Sequence, residues 1–222
     1  MENKTIIVAG SSGLIGREAV KQLIEDPSFN EIILLVRKKL DVNHPKITQI
    51  QFDFSQKEYT LKKVVADSML ICVGTTMKKA RTKESFKEVD LHIPFKLAAL
   101  AKKMNIAHVA VISAMGADSK STFFYNRVKG EMENQLSSLY LNHLTIIRPS
   151  LLIGDRDEFR LGERFAEKVY KAFPIVFPKK YEPIEAERVA MVMIKQLTPT
   201  MESNKKVNVI ENRRIHEISR NI

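Results

Sequence analysis

The sequence contains a single cysteine, Cys72, and lacks any apolar run long enough to cross a lipid bilayer. A lone cysteine cannot form an internal disulfide. Runs such as Ile32–Val36 are far shorter than the ~20 apolar residues of a membrane-spanning helix. The amino-terminal stretch MENKTIIVAG shows neither the apolar region nor the cleavage site of a secretory signal, and it leads directly into a strand-like segment. These absences predict a cytoplasmic protein with no membrane partner.

A long basic run is also missing, although the net charge is positive. The chain has 36 Lys and Arg against 26 Asp and Glu, a formal net charge of +10, and such an excess can mark a nucleic-acid-binding surface. Here the basic residues are scattered as pairs without aromatic residues between them, which is typical of solvated helix faces and turns. We expect no nucleic-acid partner, although the charge suits a small anionic ligand. The five histidines are scattered too, and their spacing predicts no metal site.

Strand and helix patterns alternate along the first 150 residues. Short apolar or β-branched runs predict strands over Thr5–Ala9, Ile32–Val36, Ile47–Phe52, Ser68–Val73, Ala107–Ser113 and Leu144–Arg148. Helical patterns lie between them, over Leu14–Glu25, Lys57–Val65, Ser85–Met104 and Thr122–Leu139. Continuous apolar strands separated by helices indicate a parallel sheet covered on both faces. Residues 1–222 are therefore predicted to form one α/β domain with a doubly wound, Rossmann-type parallel sheet.

The pattern changes after Pro149. Residues 150–222 are predicted to form a small cap on the substrate side, with a helix near Glu185–Leu197, a strand at Lys206–Ile210 and a terminal helix. Six aromatic residues between positions 154 and 184 either line a substrate pocket or complete the core. The two long helices near residues 85–104 and 122–139 either pair in a homodimer or lie solvated.

The segment GSSGLIG places three glycines between the first predicted strand and the first predicted helix. A dinucleotide pyrophosphate needs a close backbone approach and free N–H groups at such a helix start. In this G-x-x-G-x-x-G spacing, Gly10 permits the tight turn, Gly13 the close approach and Gly16 the packing of helix on strand. The alternative, a plain strand-to-helix turn, seldom needs three glycines in so short a segment. The predicted pyrophosphate site comprises Gly10, Ser11, Ser12, Gly13, Leu14, Ile15 and Gly16.

The ends of the following strands add predicted cofactor contacts. Arg37 and Lys38 follow the second strand, where an acidic residue commonly binds the ribose of NAD and a cation suits the 2′-phosphate of NADP. This favours NADP over NAD, against the alternative of a solvated basic turn. Further contacts are predicted at Asp53 and Phe54, beside the adenine, and at Gly74 and Thr75, although Asp53 is equally suited to cap a helix.

Two tyrosine–lysine pairs, Tyr125–Lys129 and Tyr59–Lys63, have a four-residue spacing that places both side chains on one face of a helix. Tyr125 follows the fifth predicted strand, which Ser113 closes at the sheet edge where ligands of open α/β sheets bind. Ser113 lies twelve residues before Tyr125, whereas the residue twelve before Tyr59 is Ile47, at the beginning of a predicted strand. We therefore predict that Tyr125 and Lys129 belong to the site, and that Tyr59 and Lys63 lie on the surface.

The residue types suit reduction of a carbonyl group. Hydride transfer from a nicotinamide to a carbonyl carbon leaves negative charge on the oxygen, and Tyr125 is placed to donate a proton there. A free phenol has a pKa near ~10, and the ammonium of Lys129 favours the phenolate and can also hold the nicotinamide ribose. The hydroxyl of Ser113 can bond the same carbonyl oxygen. Ser113, Tyr125 and Lys129 are thus the predicted catalytic residues.

The sequence resembles the atypical short-chain dehydrogenases/reductases, and among them the Tat-interacting-protein-like oxidoreductases. The resemblance covers nearly the whole chain, and it is carried by GSSGLIG, ISAMGADSKSTFFYNRVKGEMENQL, IIRPSLLIGDR and VIENRRIHEI. It implies the same catalytic trio, and it adds the segment Arg148–Pro149 to the cofactor contacts. Many short-chain reductases carry an Asn on the fourth helix that completes a proton relay. Asp90 stands at the comparable place here, which alters the local charge.

Two functions are consistent with these features. The first is an NADPH-dependent oxidoreductase that transfers hydride to a small carbonyl substrate, with Tyr125 as the proton donor. The second is a redox-sensing regulatory protein that uses bound NADPH to set its affinity for protein partners. The full set of Ser113, Tyr125 and Lys129 favours the enzyme, because a sensor does not need it.

Overall fold

The computed structural model describes residues 4–154, 181–197 and 206–221. Its strands are β1 (Lys4–Ala9), β2 (Phe29–Val36), β3 (Ile47–Gln51), β4 (Ser68–Ile71), β5 (His108–Ile112), β6 (His143–Arg148), β7 (Leu152–Ile153), β8 (Ile184–Glu185) and β9 (Val207–Glu211). Seven of them form one sheet in the order β3-β2-β1-β4-β5-β6-β9, and every pairing is parallel. The doubly wound α/β prediction is confirmed.

The strand order changes direction beside β1. The chain runs outward from β1 to β3 and then returns to place β4 on the other side of β1. Ligands of open parallel sheets bind at the carboxyl ends of the strands, where the order reverses. The carboxyl ends of β1 and β4 are therefore the part of the fold where a ligand is expected.

The helices flank this sheet on both faces. They are α1 (Leu14–Glu25), α2 (Met77–Ala80), α3 (Lys83–Lys87), α4 (Ile93–Lys103), α5 (Phe124–Ser137), α6 (Ala186–Lys195) and α7 (Asn212–Arg220). Side chains alternate along β1, so that Ile6 and Val8 pack under α1 and α6 while Ile7 and Ala9 pack under α4 and α5. This two-sided burial is the reason that β1 and β2 contain continuous apolar runs, Ile6–Ala9 and Ile32–Val36.

The prediction of a helix over Lys57–Val65 is wrong. That part of the connection between β3 and β4 has no helix, and Lys63 has a positive φ of 60°. The surface position predicted for Tyr59 is also wrong. Its ring is buried at edge-on contacts with Phe52 and Phe54, and its hydroxyl donates to the carbonyl oxygen of Phe54 at 2.7 Å. The buried ring of Tyr59 thus holds the connection between β3 and β4 against the core.

The predicted helix over Ser85–Met104 is interrupted by a wide turn. Between α3 and α4, residues Glu88–His92 form a π-helical segment that includes the buried Asp90. Such a turn holds one more residue than an α-helical turn and is frequent at functional sites. On α5, Met132 and Leu136 are fully buried in the core.

The predicted cap falls mostly outside the described residues. Phe159, Phe165, Tyr170, Phe173 and Phe177 lie there, so the choice between pocket lining and core stays open for them. On either side of that stretch, β7 and β8 pair in parallel as a separate two-stranded ribbon. Within the described ranges, no helix is both long and apolar enough to span a membrane.

Candidate functional site

The glycine segment forms a close-packed turn between β1 and α1. Gly10 has a φ of +87°, and a Cβ there would lie 2.6 Å from the carbonyl carbon of Cys72 at the end of β4. A Cβ at Gly16 would lie 2.1 Å from the carbonyl oxygen of Gly10. Both positions therefore exclude larger residues, as the predicted roles of Gly10 and Gly16 require.

The same turn has groups that suit the phosphates of a dinucleotide. Gly13 caps α1 without a side-chain hydrogen bond to the helix start. The buried hydroxyl of Ser11 has no hydrogen-bond partner among the described residues. A buried polar atom costs free energy unless it is paired, and a helix amino terminus attracts anions. An unpaired hydroxyl and an uncapped helix start in a glycine turn fit a bound pyrophosphate.

The residues predicted to contact the adenosine half lie along the same edge. Arg37 and Lys38 follow β2 and are exposed to solvent. Asp53 follows β3, where its carboxylate accepts hydrogen bonds from the hydroxyl of Ser55 at 2.6 Å and its backbone N–H at 2.9 Å. These bonds lower the pKa of Asp53 and assign it to a turn. The predicted adenine contacts of Asp53 and Phe54 stay predictions.

A buried ion pair joins α5 to the end of β4. The ammonium of Lys129 lies 2.8 Å from Asp90 Oδ1, and both side chains are at most 3% exposed. The second oxygen, Asp90 Oδ2, accepts the backbone N–H of Thr75 at 2.8 Å. The same carboxylate lies under Gly74, where a Cβ would be 3.5 Å from Oδ1. The predicted residues Gly74, Thr75 and Lys129 are therefore brought together, with Asp90 as their link.

Asp90 favours the charged form of Lys129. Burial on its own lowers the pKa of the Lys129 ammonium, but the charge and hydrogen bond of Asp90 raise it, with smaller contributions from Tyr125 and Glu133, and the net effect is a raised pKa. Tyr125 lies one turn before Lys129, on the same face of α5. Its side chain is 39% exposed, and its ring lies 5.7 Å from that of the buried Phe86. The phenol is therefore accessible to a ligand, one helical turn from a lysine whose pKa is raised.

Ser113 is bound in a second buried network. Its hydroxyl donates a short hydrogen bond to Oε1 of Glu133, which lies one turn beyond Lys129 on α5. Glu133 also accepts from Nε of Arg148 at 3.0 Å and from Nη2 at 2.5 Å. Arg148 Nη1 bonds Glu211 at 2.8 Å. These carboxylates raise the pKa of Arg148, with the Glu133 bonds as the largest cause.

The hydrogen bonds of this network limit the contacts that the side chains of Ser113 and Arg148 can make with a ligand. A serine hydroxyl has one proton, and in the structure that proton faces Glu133. A hydrogen bond from Ser113 to a substrate carbonyl has to compete with the bond to a carboxylate. The guanidinium of Arg148 is likewise engaged by Glu133 and Glu211 through Nε, Nη1 and Nη2. The predicted cofactor contact at Arg148–Pro149 thus rests on the backbone of that segment.

Sequence reasoning missed Glu133. Its signal was present, because Tyr125, Lys129 and Glu133 follow one another at four-residue intervals and so share one face of α5. A buried acid on that face needs a cation, and Arg148 closes the neighbouring strand β6. The pairing itself depends on the sheet, which brings β5 and β6 side by side.

The NAD(P)H-binding protein family matches residues 10–199 of the chain. Among characterised proteins, rat HTATIP2 is 34% identical over 178 residues, which cover 78% of this chain and 73% of that protein. The mitochondrial protein FMP52 of Candida albicans is 32% identical over 168 residues, covering 73% of each chain. This similarity extends over most of each protein.

Solved structures share the fold at low sequence identity. The ADP-L-glycero-D-manno-heptose-6-epimerase of Helicobacter pylori superposes with a TM-score of 0.71 at 15% identity, over 99% of this chain and 82% of that one. MoeE5 in complex with UDP-glucose and NAD gives a TM-score of 0.68 at 10% identity, over 98% of this chain and 81% of that one. At these identities, both similarities show a shared fold alone.

The relatives correct the predicted location. Several FMP52 proteins that match the chain are named mitochondrial, so the prediction of a cytoplasmic protein is wrong. It rested largely on the single cysteine, which indicates a reducing compartment and does not distinguish the cytosol from other compartments without disulfides. The matches in sequence, the glycine turn and the sheet topology together place the chain in the NAD(P)H-binding family, as a member of the atypical short-chain dehydrogenase/reductase group that includes HTATIP2 and FMP52.

Proposed function

We propose that the protein is an NADPH-dependent oxidoreductase that transfers hydride to a small carbonyl compound, with Tyr125 as the proton donor. One observation carries the proposal. Tyr125 is partly exposed on the face of α5 whose next turn presents Lys129, and Lys129 is tied through Asp90 to the end of β4 beside the glycine turn. This is the edge where the fold binds ligands.

Each residue has a defined task in this reaction. When bound, NADPH supplies the hydride that reduces the carbonyl carbon. Tyr125 gives its hydroxyl proton to the carbonyl oxygen and recovers a proton from water. The ammonium of Lys129 stabilises the transient phenolate. The hydroxyl of Ser11, which has no partner in the part of the chain that the structure describes, and the start of α1 bind the pyrophosphate.

The decisive experiment is NADPH consumption with a panel of small aldehydes and ketones. Tyr125→Phe is expected to lower kcat by ~10²–10⁴-fold, the usual contribution of a general acid, with unchanged NADPH affinity. Tyr140→Phe is the matched control, because Tyr140 is an exposed tyrosine beyond the end of α5. Full turnover by Tyr125→Phe refutes the role of Tyr125. Tight NADPH binding without any turnover favours the regulatory alternative.

The preference for NADPH is proposed to rest on Arg37. It is exposed at the end of β2, where the 2′-phosphate is expected. Loss of a charged hydrogen bond costs about 1.5–3 kcal/mol, so Arg37→Ala should weaken NADPH binding by roughly 10–150-fold and leave NADH binding unchanged. Lys102→Ala is the control, because α4 ends at the opposite edge of the sheet. Equal affinities for both cofactors, unchanged by Arg37→Ala, contradict the assignment.

A further inference from the structure

The first turn of α5, which includes Tyr125, lacks the usual stabilisation of a helix start. A helix begins with backbone N–H groups that have no partner within the helix, and a capping side chain normally accepts a hydrogen bond from one of them. The residue at the cap position of α5 is Phe123, which makes no such bond. The first turn therefore depends on contacts from outside the helix.

The loop between β5 and α5, residues 113–123, supplies these contacts, and Asn126 makes two of them. Nδ2 of Asn126 donates to the carbonyl oxygen of Gly116 at 2.8 Å. The backbone carbonyl oxygen of Asn126 accepts the N–H of Asp118 at 3.0 Å. Gly116 has a φ of +76°, and a Cβ there would lie 2.7 Å from Nδ2 of Asn126. The side-chain amide of Asn126 thus occupies the space that a larger residue at position 116 would fill.

Gly130 allows the loop to lie directly on the helix. It is one turn beyond Asn126 on the same face of α5. A Cβ at Gly130 would lie 2.1 Å from the backbone nitrogen of Ser119 and 2.3 Å from the carbonyl carbon of Asp118. A side chain at this position would therefore lift the loop and break the bond between Asp118 and Asn126.

Tyr125 lies immediately before the two residues of α5 that bind the loop. After Asn126, Arg127 adds a third attachment, because its Nη1 donates to the carbonyl oxygen of Ser121 at 2.7 Å. The ring of Tyr125 itself lies 5.7 Å from the ring of Phe86 on α3. Contacts with two other parts of the chain thus hold Tyr125 and its turn of the helix.

We propose that Asn126 is a positioning residue, whose two hydrogen bonds to the loop fix the first turn of α5 and so direct the Tyr125 hydroxyl towards the carbonyl oxygen of the substrate. The inference rests on the proposed function and deepens it. Asn126 takes no part in the proton transfer itself. The proton passes from the Tyr125 hydroxyl to the carbonyl oxygen as hydride reaches the carbon, and the phenolate takes a proton from water. Misplacement of a reacting group by about 1 Å lowers a rate by up to ~10²-fold.

The test is a double-mutant cycle on kcat for carbonyl reduction by NADPH, with the parent, Asn126→Ala, Tyr125→Phe and the double variant. Asn126→Ala removes the bond to Gly116 and should lower kcat by about 10–100-fold, with an unchanged Kd for NADPH. In the Tyr125→Phe background it should lower kcat by less than about twofold, because it acts through Tyr125. A loss through general destabilisation would instead multiply with the loss from Tyr125→Phe.

Hydrogen exchange of the backbone amides of residues 127–130 gives a measurement that needs no turnover, because these N–H groups donate to the carbonyls of the first turn. Their exchange should be faster in Asn126→Ala. Gly116→Ala, whose added Cβ displaces the same amide, should reproduce the faster exchange and the lower kcat. The control Asn208→Ala removes an amide of β9 that bonds Gln196, and it should behave like the parent.

The possible results separate the inference from the proposed function. Unchanged exchange or unchanged kcat in Asn126→Ala overturns the inference, and so do losses in kcat that multiply in the double variant. Faster exchange in Asn126→Ala, in a protein that reduces no carbonyl compound, refutes the proposed function alone.

Discussion

The Ser113→Ala variant distinguishes two roles for the buried hydroxyl that follows β5. One is a structural hydrogen bond to Glu133, and the other is a hydrogen bond to the substrate carbonyl. In the structure its proton is donated to Glu133, and Arg148 remains bound to that carboxylate when the hydroxyl is gone. Loss of one hydrogen bond to a charged group costs ~1.5–3 kcal/mol. For a chain of this size, that corresponds to a melting temperature lower by roughly 3–12 °C. Because Ser113 is not needed to protonate the substrate, kcat should fall less than about tenfold, well short of a general acid's contribution.

The assay combines thermal unfolding with NADPH consumption. Ser68→Ala is the matched control, because Ser68 is as buried as Ser113 but its hydroxyl has no hydrogen-bond partner within the described part of the chain. Removing an unpaired hydroxyl should change stability by less than about 1 kcal/mol, or increase it. A loss of ~10²-fold or more in kcat by Ser113→Ala, with unchanged stability, would refute this reasoning and restore Ser113 as a donor to the carbonyl.

Three other outcomes are expected. Gly10→Ala should lower the melting temperature and weaken NADPH binding, because backbone strain at positive φ costs about 1–3 kcal/mol and the added Cβ would collide with the backbone of Cys72. The control Gly74→Ala adds only an ordinary 3.5 Å contact with Asp90 and should unfold at the same temperature as the parent. Burial raises the pKa of the Cys72 thiol to about 12, so a maleimide at pH 8 should modify it only after unfolding, and rapid labelling of the native protein would contradict this burial. Burial, then the charges of His143 and Lys4, lower the pKa of His108 below its ordinary 6.5. The contribution of neutral His108 to stability is complete above pH 6.5 and is lost as the pH falls through its lowered pKa. The variant His108→Gln should therefore flatten the acid side of a plot of unfolding free energy, measured with urea, against pH.

The sequence patterns predicted the sheet because burial on both faces makes the central part of most strands a run of apolar residues. Ile6, Ile7, Val8 and Ala9 are all fully buried, and their neighbours on β2 and β4 are apolar except for Ser68. The glycine turn was predictable for a similar reason, because the backbone contacts of Gly10 and Gly16 tolerate no side chain. In both cases, one local property of the sequence determines the structure.

The sequence-based predictions failed or stayed incomplete where contacts between residues far apart in the chain determine the structure. Tyr59 was expected on a surface helix, but its ring packs against Phe52 and Phe54 and its hydroxyl donates to the carbonyl oxygen of Phe54. Tertiary packing therefore overrides the helical pattern of that stretch. The role of Ser113 at a substrate stays a prediction, but its hydrogen-bond partner Glu133, which comes from another element, was not predicted. A single sequence contains the residues of such networks but not the packing that pairs them.

The wide turn between α3 and α4 has a consequence for comparing this chain with its relatives. An α-helix rotates by about 100° per residue, so a single extra residue changes the direction of every side chain that follows. A relative that lacks one residue within Glu88–His92 could keep both flanking helices and still lose the acid beneath Gly74. Its lysine at the position of Lys129 would then be buried without a counter-ion. A one-residue gap at this point of an alignment would therefore indicate that the buried lysine has lost its counter-ion, a larger change at the site than many substitutions elsewhere.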